Sequence, residues 1–345
     1  MMEDRRNSSS SGPVETVAVV ASRASAQSTS SGSGSRWWAF LVVSRVEFMP
    51  GGLFFIFASA ALACLEWTVL GRNALLIAEG AAVWYLSHLI GSQVNCLADV
   101  EVDQEDKAKL AQAVKIFGST RLAVVIGVEA VIALAITVYM AAQTGRGVLP
   151  FIWLLGFVLA LAYSLEPLRL KRRNWWNPIS LLLVLYALPM SYGYVTLASS
   201  ARFDALGVVA GTALQMFALI LLNPAEDIAS DRAGGIRTPC TQHGLRLIAP
   251  LAAVVFAVGT VGSFWFLAVL AEGQPVPIIA GLVLAGVGQL YVLGELVWLA
   301  LLCLAGNTDG RVSAGERIFR LVRRNPVHFA LLGTTFAAAT ALVLK

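Results

Sequence analysis

The sequence predicts an all-α integral membrane protein with nine transmembrane helices, and three observations carry that expectation. Hydrophobic residues make up 57% of the 345 and charged residues only 13%, where a soluble domain carries roughly 25% charge. Several apolar runs reach the roughly 20 residues needed to cross a hydrocarbon core about 30 Å thick. These runs are rich in Leu, Ala and Val and show no alternation of period two, so they read as helices rather than as strands of a closed barrel. No other spanning structure can satisfy its backbone hydrogen bonds in lipid.

Residues 1–35 contain SSSSG and SSGSGS, a composition that buries too little apolar area to offset chain entropy, and are expected to form a disordered tail. The apolar stretch inside it is short and interrupted by Arg23, which argues against a cleaved signal peptide. Residues 36–345 form the helical domain. Its apolar spans run over roughly 37–66, 73–98, 119–142, 148–166, 176–199, 204–226, 247–271, 276–303 and 326–344, with boundaries good to a few residues. The first carries Arg45, Glu47 and Pro50, so a kink is expected near the proline. The eighth is long and predicts a tilted helix.

Basic residues alternate sides with these spans. With the N-terminus inside, the cytoplasmic loops collect Lys107, Lys109, Lys115, Arg121, Arg169, Lys171, Arg172, Arg173, Arg232, Arg237 and Arg246, followed by Arg311, Arg317, Arg320, Arg323 and Arg324. The opposite side receives Arg72, Arg146, Arg202 and Lys345. That asymmetry predicts a cytoplasmic N-terminus and accounts for the net charge of +4 without a nucleic-acid partner. The four cysteines stand far apart with no CxxC pair, so neither a disulfide framework nor a zinc site is indicated. The three histidines, His88 among them, read as packing or surface residues.

The chemistry lies in two polar repeats. The second span ends in VNCLADVEVDQEDK, placing Asn95, Asp99 and Asp103 four residues apart. A step of four rotates a helix by only about 40°, so these groups form one stripe. The sixth span ends in LLNPAEDIASDRAGG, with Asn223, Asp227 and Asp231 at the same spacing. Four spans separate the motifs, so both parent helices run the same way and both stripes emerge at the cytoplasmic face. A parallel repeat of four helices plus a ninth follows. Four carboxylates gathered on one side repel unless a hard cation sits between them, and oxygen-only ligands select Mg²⁺ or a similar ion. Because Mg²⁺ bridges carboxylates to substrate phosphates, a diphosphate is the natural third party. Read singly, each stripe is the solvated end of a helix. Duplication, and the unfavourable position of Asp at a helix C-terminus, argue against that reading.

Between the fourth and fifth spans, LAYSLEPLRLKRRNWWNP places Tyr163 and Ser164 before Arg169, Lys171, Arg172 and Arg173. This cluster is a topology signal, and one or two of its cations could also hold a diphosphate from the side opposite the metal. Together, NxxxDxxxD, YSLEPLRLK, and DxxxD followed by RAGGIRT resemble the UbiA superfamily of intramembrane prenyltransferases, in that order and over nearly the whole chain beyond the tail. YSxxPLRLK is most similar to the branch containing chlorophyll synthases and homogentisate prenyltransferases. In the first motif Cys96 stands where many members carry a second aspartate, which removes one carboxylate.

The resemblance implies nine helices around a central cavity open to lipid and ionisation of an allylic isoprenoid diphosphate. By the same resemblance Asn95, Asp99, Asp103, Asp227 and Asp231 would bind the diphosphate through Mg²⁺, with Asn223 beside them. Lys171 and Arg172 would bind it directly, Tyr163 would sit near the ionising carbon, and Arg45 would orient the acceptor or the diphosphate. The expected reaction is prenyl transfer to an aromatic or lipophilic acceptor. Aromatic faces such as Trp84, Tyr85, Phe157, Tyr186, Tyr192 or Phe217 could steady the carbocation. A terpene cyclase acting on farnesyl or geranylgeranyl diphosphate without an acceptor is the alternative. A transporter is disfavoured, because the acids lie at helix ends rather than at the midplane.

Overall fold

A computed structural model describes residues 35–101, 108–270, 275–305 and 324–343. Residues 1–34 of the predicted tail, Asp103, Lys107, Lys345 and the arginines at 311, 317, 320 and 323 lie outside them. Among the described residues the chain is helical, and the one β-type contact is an isolated bridge between Arg173 and Arg237. Seven helices are long and apolar enough to cross a membrane, and two shorter apolar helices accompany them at Val148–Ser164 and Ala330–Ala341.

The chain enters through α1 (Arg36–Val43), whose N-terminus is capped by the Ser35 hydroxyl accepting from the Trp38 amide at 3.2 Å. A break follows. Arg45 takes a left-handed conformation (φ 46°) and leads into a 3₁₀ turn over Val46–Phe48, after which α2 runs Met49–Cys64. The expected kink is therefore real but falls before Pro50. Proline sits in the first turn of α2, where its missing N–H costs nothing.

Helices α3 (Trp67–Arg72), α4 (Ala74–Asp99), α5 (Ala108–Phe117), α6 (Ser119–Thr144) and α7 (Val148–Ser164) follow. The next span is divided into α8 (Trp176–Leu182), a π turn (Leu183–Ala187) and α9 (Leu188–Leu197). Pro189 explains the wide turn, because its ring cannot continue the ordinary i−4 ladder and the backbone loosens by one residue instead. Then come α10 (Phe203–Leu222), two short helices α11 (Ile228–Ala233) and α12 (Pro239–His243), and α13 (Leu245–Leu270), α14 (Pro275–Ala305) and α15 (Asn325–Val343).

Helix α10 packs most extensively on α13, while α2 rests on α15 and α9, and α4 on α6. Gly211 and Gly259 make the α10–α13 crossing close: a Cβ on Gly211 would lie 2.5 Å from the Ser263 backbone nitrogen. At the same interface the buried Gln215 amide donates to Thr260 at 3.1 Å and to Gln289 at 3.0 Å, linking α10, α13 and α14. Val124, Val128 and Val131 on α6, and Val254, Val258, Val261 and Trp265 on α13, are exposed along outer helix faces. Bilayer hydrocarbon would cover an apolar surface of this kind.

Candidate active site

The last turns of α4 and α7 and the loop after α7 meet around one carboxylate. Asp99 closes α4, and its Oδ1 accepts from Arg169 Nη2 at 3.0 Å while its Oδ2 pairs with Lys171 Nζ. One helical turn earlier, Asn95 Oδ1 accepts from Lys171 Nζ at 3.0 Å and from the Ser164 hydroxyl at 3.3 Å. All three charged side chains are about 85% buried, so this ion pair is far less screened than a surface pair. The Nε atoms of Arg169 and Arg172 are buried with no hydrogen-bond partner among the described residues. Buried donors left open are rare, and an incoming anion would satisfy them.

The basic loop is held in shape by its own backbone. Arg169 is left-handed (φ 36°) and starts a 3₁₀ turn over Leu170–Arg172. The buried Asn177 of α8 donates its side-chain amide to the Lys171 carbonyl at 2.7 Å, which fixes where the lysine begins. Asn174 N–H donates to the Arg237 carbonyl at 2.6 Å, beside the Arg173–Arg237 bridge. That contact ties the basic loop to the segment following the second acidic motif.

The second motif departs from the expected single stripe. Pro224 tightens residues Asn223–Ala225 into a 3₁₀ turn, Glu226 and Asp227 form a turn, and Asp231 stands on the separate α11. Spacing predicted one continuous helix, and proline removed the amide that such a helix needs. Even so, Asn95 and Asn223 line the same cavity, and Tyr163 is near enough to Asp99, Asp231 and Arg45 to feel the charge of each. No cluster of three or more His, Cys, Asp or Glu suited to a metal occurs among the described residues, and Asp103 lies outside them.

Below these groups runs a cavity of about 260 Å³. Its polar end is formed by Arg45, Asn95, Tyr163 and Asn223, and its walls by Trp84, Trp153, Phe157, Tyr186 and Tyr192. Four of the expected aromatic faces are thus at the wall, whereas Tyr85 and Phe217 are not among its lining residues. The Trp84 indole lies directly over Gly52, where a Cβ would fall 1.8 Å from the ring. Trp153 stacks on Phe157 and donates its indole N–H to Ser87 at 3.2 Å.

Arg45 reaches the cavity because α4 grips the break before α2. Cys96 Sγ donates to the Val43 carbonyl at 3.6 Å, Gln93 donates to the Ser44 hydroxyl at 3.3 Å, and His88 Nε2 meets the Arg45 carbonyl at 3.3 Å. Gln93 also donates to Glu129 of α6 at 3.2 Å. Cys96 therefore turns toward α1 and away from the face that bears Asn95 and Asp99. Sequence spacing missed Asn177 and gave His88 no role, although His88 precedes Asn95 by seven residues and so shares its helix face. Cys240 on α12 is buried against the Leu221 carbonyl at 3.4 Å. Burial, with the charge of Asp231 nearby, pushes its thiol up to about 12, so it is a neutral packing group.

Known proteins share this architecture. The family model described as the UbiA prenyltransferase family matches residues 52–303. The bacteriochlorophyll synthase 33 kDa chain of Cereibacter sphaeroides is 31% identical over 144 residues, which is 41% of this chain and 46% of that one. Its namesake in Rhodobacter capsulatus is 33% identical over 106 residues, or 30% and 35% of the two chains. The chain thus spans less than half the length of these curated relatives. Among solved structures, a UbiA homolog from Archaeoglobus fulgidus bound to DMAPP and Mg²⁺ superposes with a TM-score of 0.57 at 12% identity, covering 88% of this chain and 98% of that one. The homolog bound to GPP and Mg²⁺ gives 0.58 at 11% identity, covering 83% and 99%. At such identities the likeness establishes the fold.

Proposed function

The chain belongs to the UbiA prenyltransferase family, and from that premise we propose that it ionises an allylic isoprenoid diphosphate and transfers the prenyl group to an aromatic or lipophilic acceptor. One observation carries the proposal: a buried carboxylate with two cations, flanked by two arginine Nε–H donors that have no partner among the described residues, sits beside the polar mouth of an otherwise apolar, aromatic-walled cavity. A diphosphate fits the first part and a prenyl chain the second.

The donor set suits Mg²⁺, being carboxylate and amide oxygens only, to be completed by water and substrate phosphate. Asp99 and Asn95 would hold it from α4, Asp227 and Asp231 from the second motif, and Asp103 would join them. When bound, Mg²⁺ supplies the charge that makes diphosphate a good leaving group. Lys171, Arg169 and Arg172 would take the diphosphate oxygens as the ester bond breaks, exchanging part of their pairing with Asp99 for the substrate. Tyr163 would stand near the ionising carbon, Arg45 would orient the diphosphate or the acceptor, and Asn223 would close the opposite side. The apolar wall keeps water from the allylic cation, and Trp84, Phe157, Tyr186 and Tyr192 present π faces to it.

In the same reading the seven long and two shorter apolar helices are nine spans, and α4 and α10 are the second spans of the two halves of a parallel repeat, each leading to an asparagine at the cavity mouth. The positive-inside asymmetry supports a cytoplasmic N-terminus, with this mouth on the same side. To test the reaction, the purified protein in lipid nanodiscs would be given Mg²⁺ and dimethylallyl, geranyl, farnesyl or geranylgeranyl diphosphate, with and without phenolic acceptors. Magnesium-dependent diphosphate release that EDTA abolishes is the expected result. A cyclic hydrocarbon formed without acceptor would assign the cyclase instead, and absence of release from all four diphosphates would overturn the reading.

A further inference from the structure

An allylic cation captured by a phenol, an alcohol, an aromatic carbon or water must finally lose a proton, and so must one that eliminates to a diene. The cavity therefore needs a base within reach of the capture point. Among the described lining residues, Arg45 is a cation, and the asparagines, serines, tyrosines and tryptophans are not bases near neutral pH. His88 also lines the cavity. Its Nε2 lies 3.3 Å from the Arg45 carbonyl, and a carbonyl can only accept, so Nε2 carries the proton in the neutral ring. Nδ1 is then left with its lone pair, and no hydrogen bond to it occurs among the described residues. The ring is held flat on Trp84, with centroids 5.4 Å apart and planes at 22°. Seven residues before Asn95, His88 lies about 10 Å along α4 on the same face, below the polar mouth.

We propose that His88 is the proton acceptor of the cavity and that the substrate's partner is a nucleophile bearing its own hydrogen, such as a hydroxylated aromatic. The inference rests on the diphosphate-ionising function proposed above. In the step itself, the ester C–O bond breaks and its electron pair leaves with diphosphate. The nucleophile's pair forms the new bond to the allylic carbon, and the proton on the attacking atom passes to Nδ1. The imidazolium later returns that proton to diphosphate or solvent. The charged groups facing His88 are Arg45 and Glu47 at the break before α2, and on α6 Glu129 is bonded to Gln93 rather than to the ring. Helices α7 and α9 contribute aromatic and apolar wall residues.

The test separates bond breaking from proton loss. Geranylgeranyl diphosphate labelled with ¹⁸O at the bridging oxygen would be incubated with Mg²⁺ and wild-type protein, His88→Gln or His88→Ala. Scrambling of the label in recovered substrate reports ionisation and return, while prenylated acceptor, alcohol and diene together report net product. His88→Gln places an amide N–H where Nε2 stood, so it keeps the donor to the Arg45 carbonyl and removes the base. It should scramble label at the wild-type rate, form product at least about 100-fold more slowly, and lack the rise of product rate with pH expected of the wild type. His88→Ala removes the donor as well and should slow both readings. The inference is overturned if His88→Gln makes product at the wild-type rate with an unchanged pH profile. It is equally overturned if scrambling and product fall together in that variant, because His88 would then act through Arg45 alone. Wild-type protein that neither scrambles label nor forms product would refute the underlying function and this inference with it.

Discussion

Asp99 engages a different cation with each of its two oxygens, Arg169 on one and Lys171 on the other, and that arrangement makes it the residue on which the site turns. Its charge balances two buried cations and in our reading also faces Mg²⁺. Asp99→Asn keeps the shape and removes the charge, and it should lower magnesium-dependent diphosphate release by about 10²–10³-fold, measured by coupled pyrophosphate detection. Lys171→Met should fall comparably, with the larger part of the loss in kcat because the cation acts most strongly as the leaving group develops charge. Undiminished release in both variants would remove this cluster from the chemistry. Spacing revealed Asp99 because charged residues at membrane depth stand out against an apolar background, whereas Lys171 was picked out of its basic loop by the family resemblance. Neither could reveal Asn177, whose value is one hydrogen bond to the Lys171 carbonyl across a loop.

At the scale of elements, the breaks matter more than the helices. The left-handed Arg45, the π turn before Pro189 and the 3₁₀ turn at Pro224 each place a lining residue (Arg45, Tyr186 or Asn223) at the cavity. Only the first was expected, from Pro50; Pro189 and Pro224 stand at the other two, where continuous helix was expected. A proline states that the i−4 ladder fails and leaves the tertiary contacts to decide how the backbone recovers. The α10–α13 crossing supplies a prediction at this scale. Gly211 has no room for a methyl group beside the Ser263 backbone, whereas a Cβ on Gly262 of the same α13 would meet nothing within 4 Å. Gly211→Ala should therefore destabilise the protein by about 1–3 kcal/mol through overpacking, seen as a lower apparent Tm in detergent. Gly262→Ala should leave Tm unchanged or slightly raised, since alanine is the better helix former. Equal Tm values for the two variants would show that the helices are not this close.

For the whole molecule, the orientation inferred from basic residues can be measured directly. Glu166→Cys lies in the basic loop and Gln143→Cys at the opposite end of α6, and both positions are exposed. A membrane-impermeant maleimide added to sealed inside-out vesicles should label Glu166→Cys and spare Gln143→Cys, with the reverse in right-side-out vesicles. Labelling of both from one side would break the proposed topology. Composition and run length alone determined that the chain is a helical membrane protein and where most spans lie, because hydrocarbon tolerates few backbone solutions and penalises every charge. Repeated spacing also singled out Asn95, Asp99, Asn223, Asp227 and Asp231. Which of these meet, that Cys96 faces α1, that Arg169 shares Asp99 with Lys171, and that His88 lines the cavity with a free nitrogen were decided by the tertiary structure. Those facts depend on contacts between residues tens of positions apart, and on turns whose geometry is set by packing, so no local pattern in the chain encodes them.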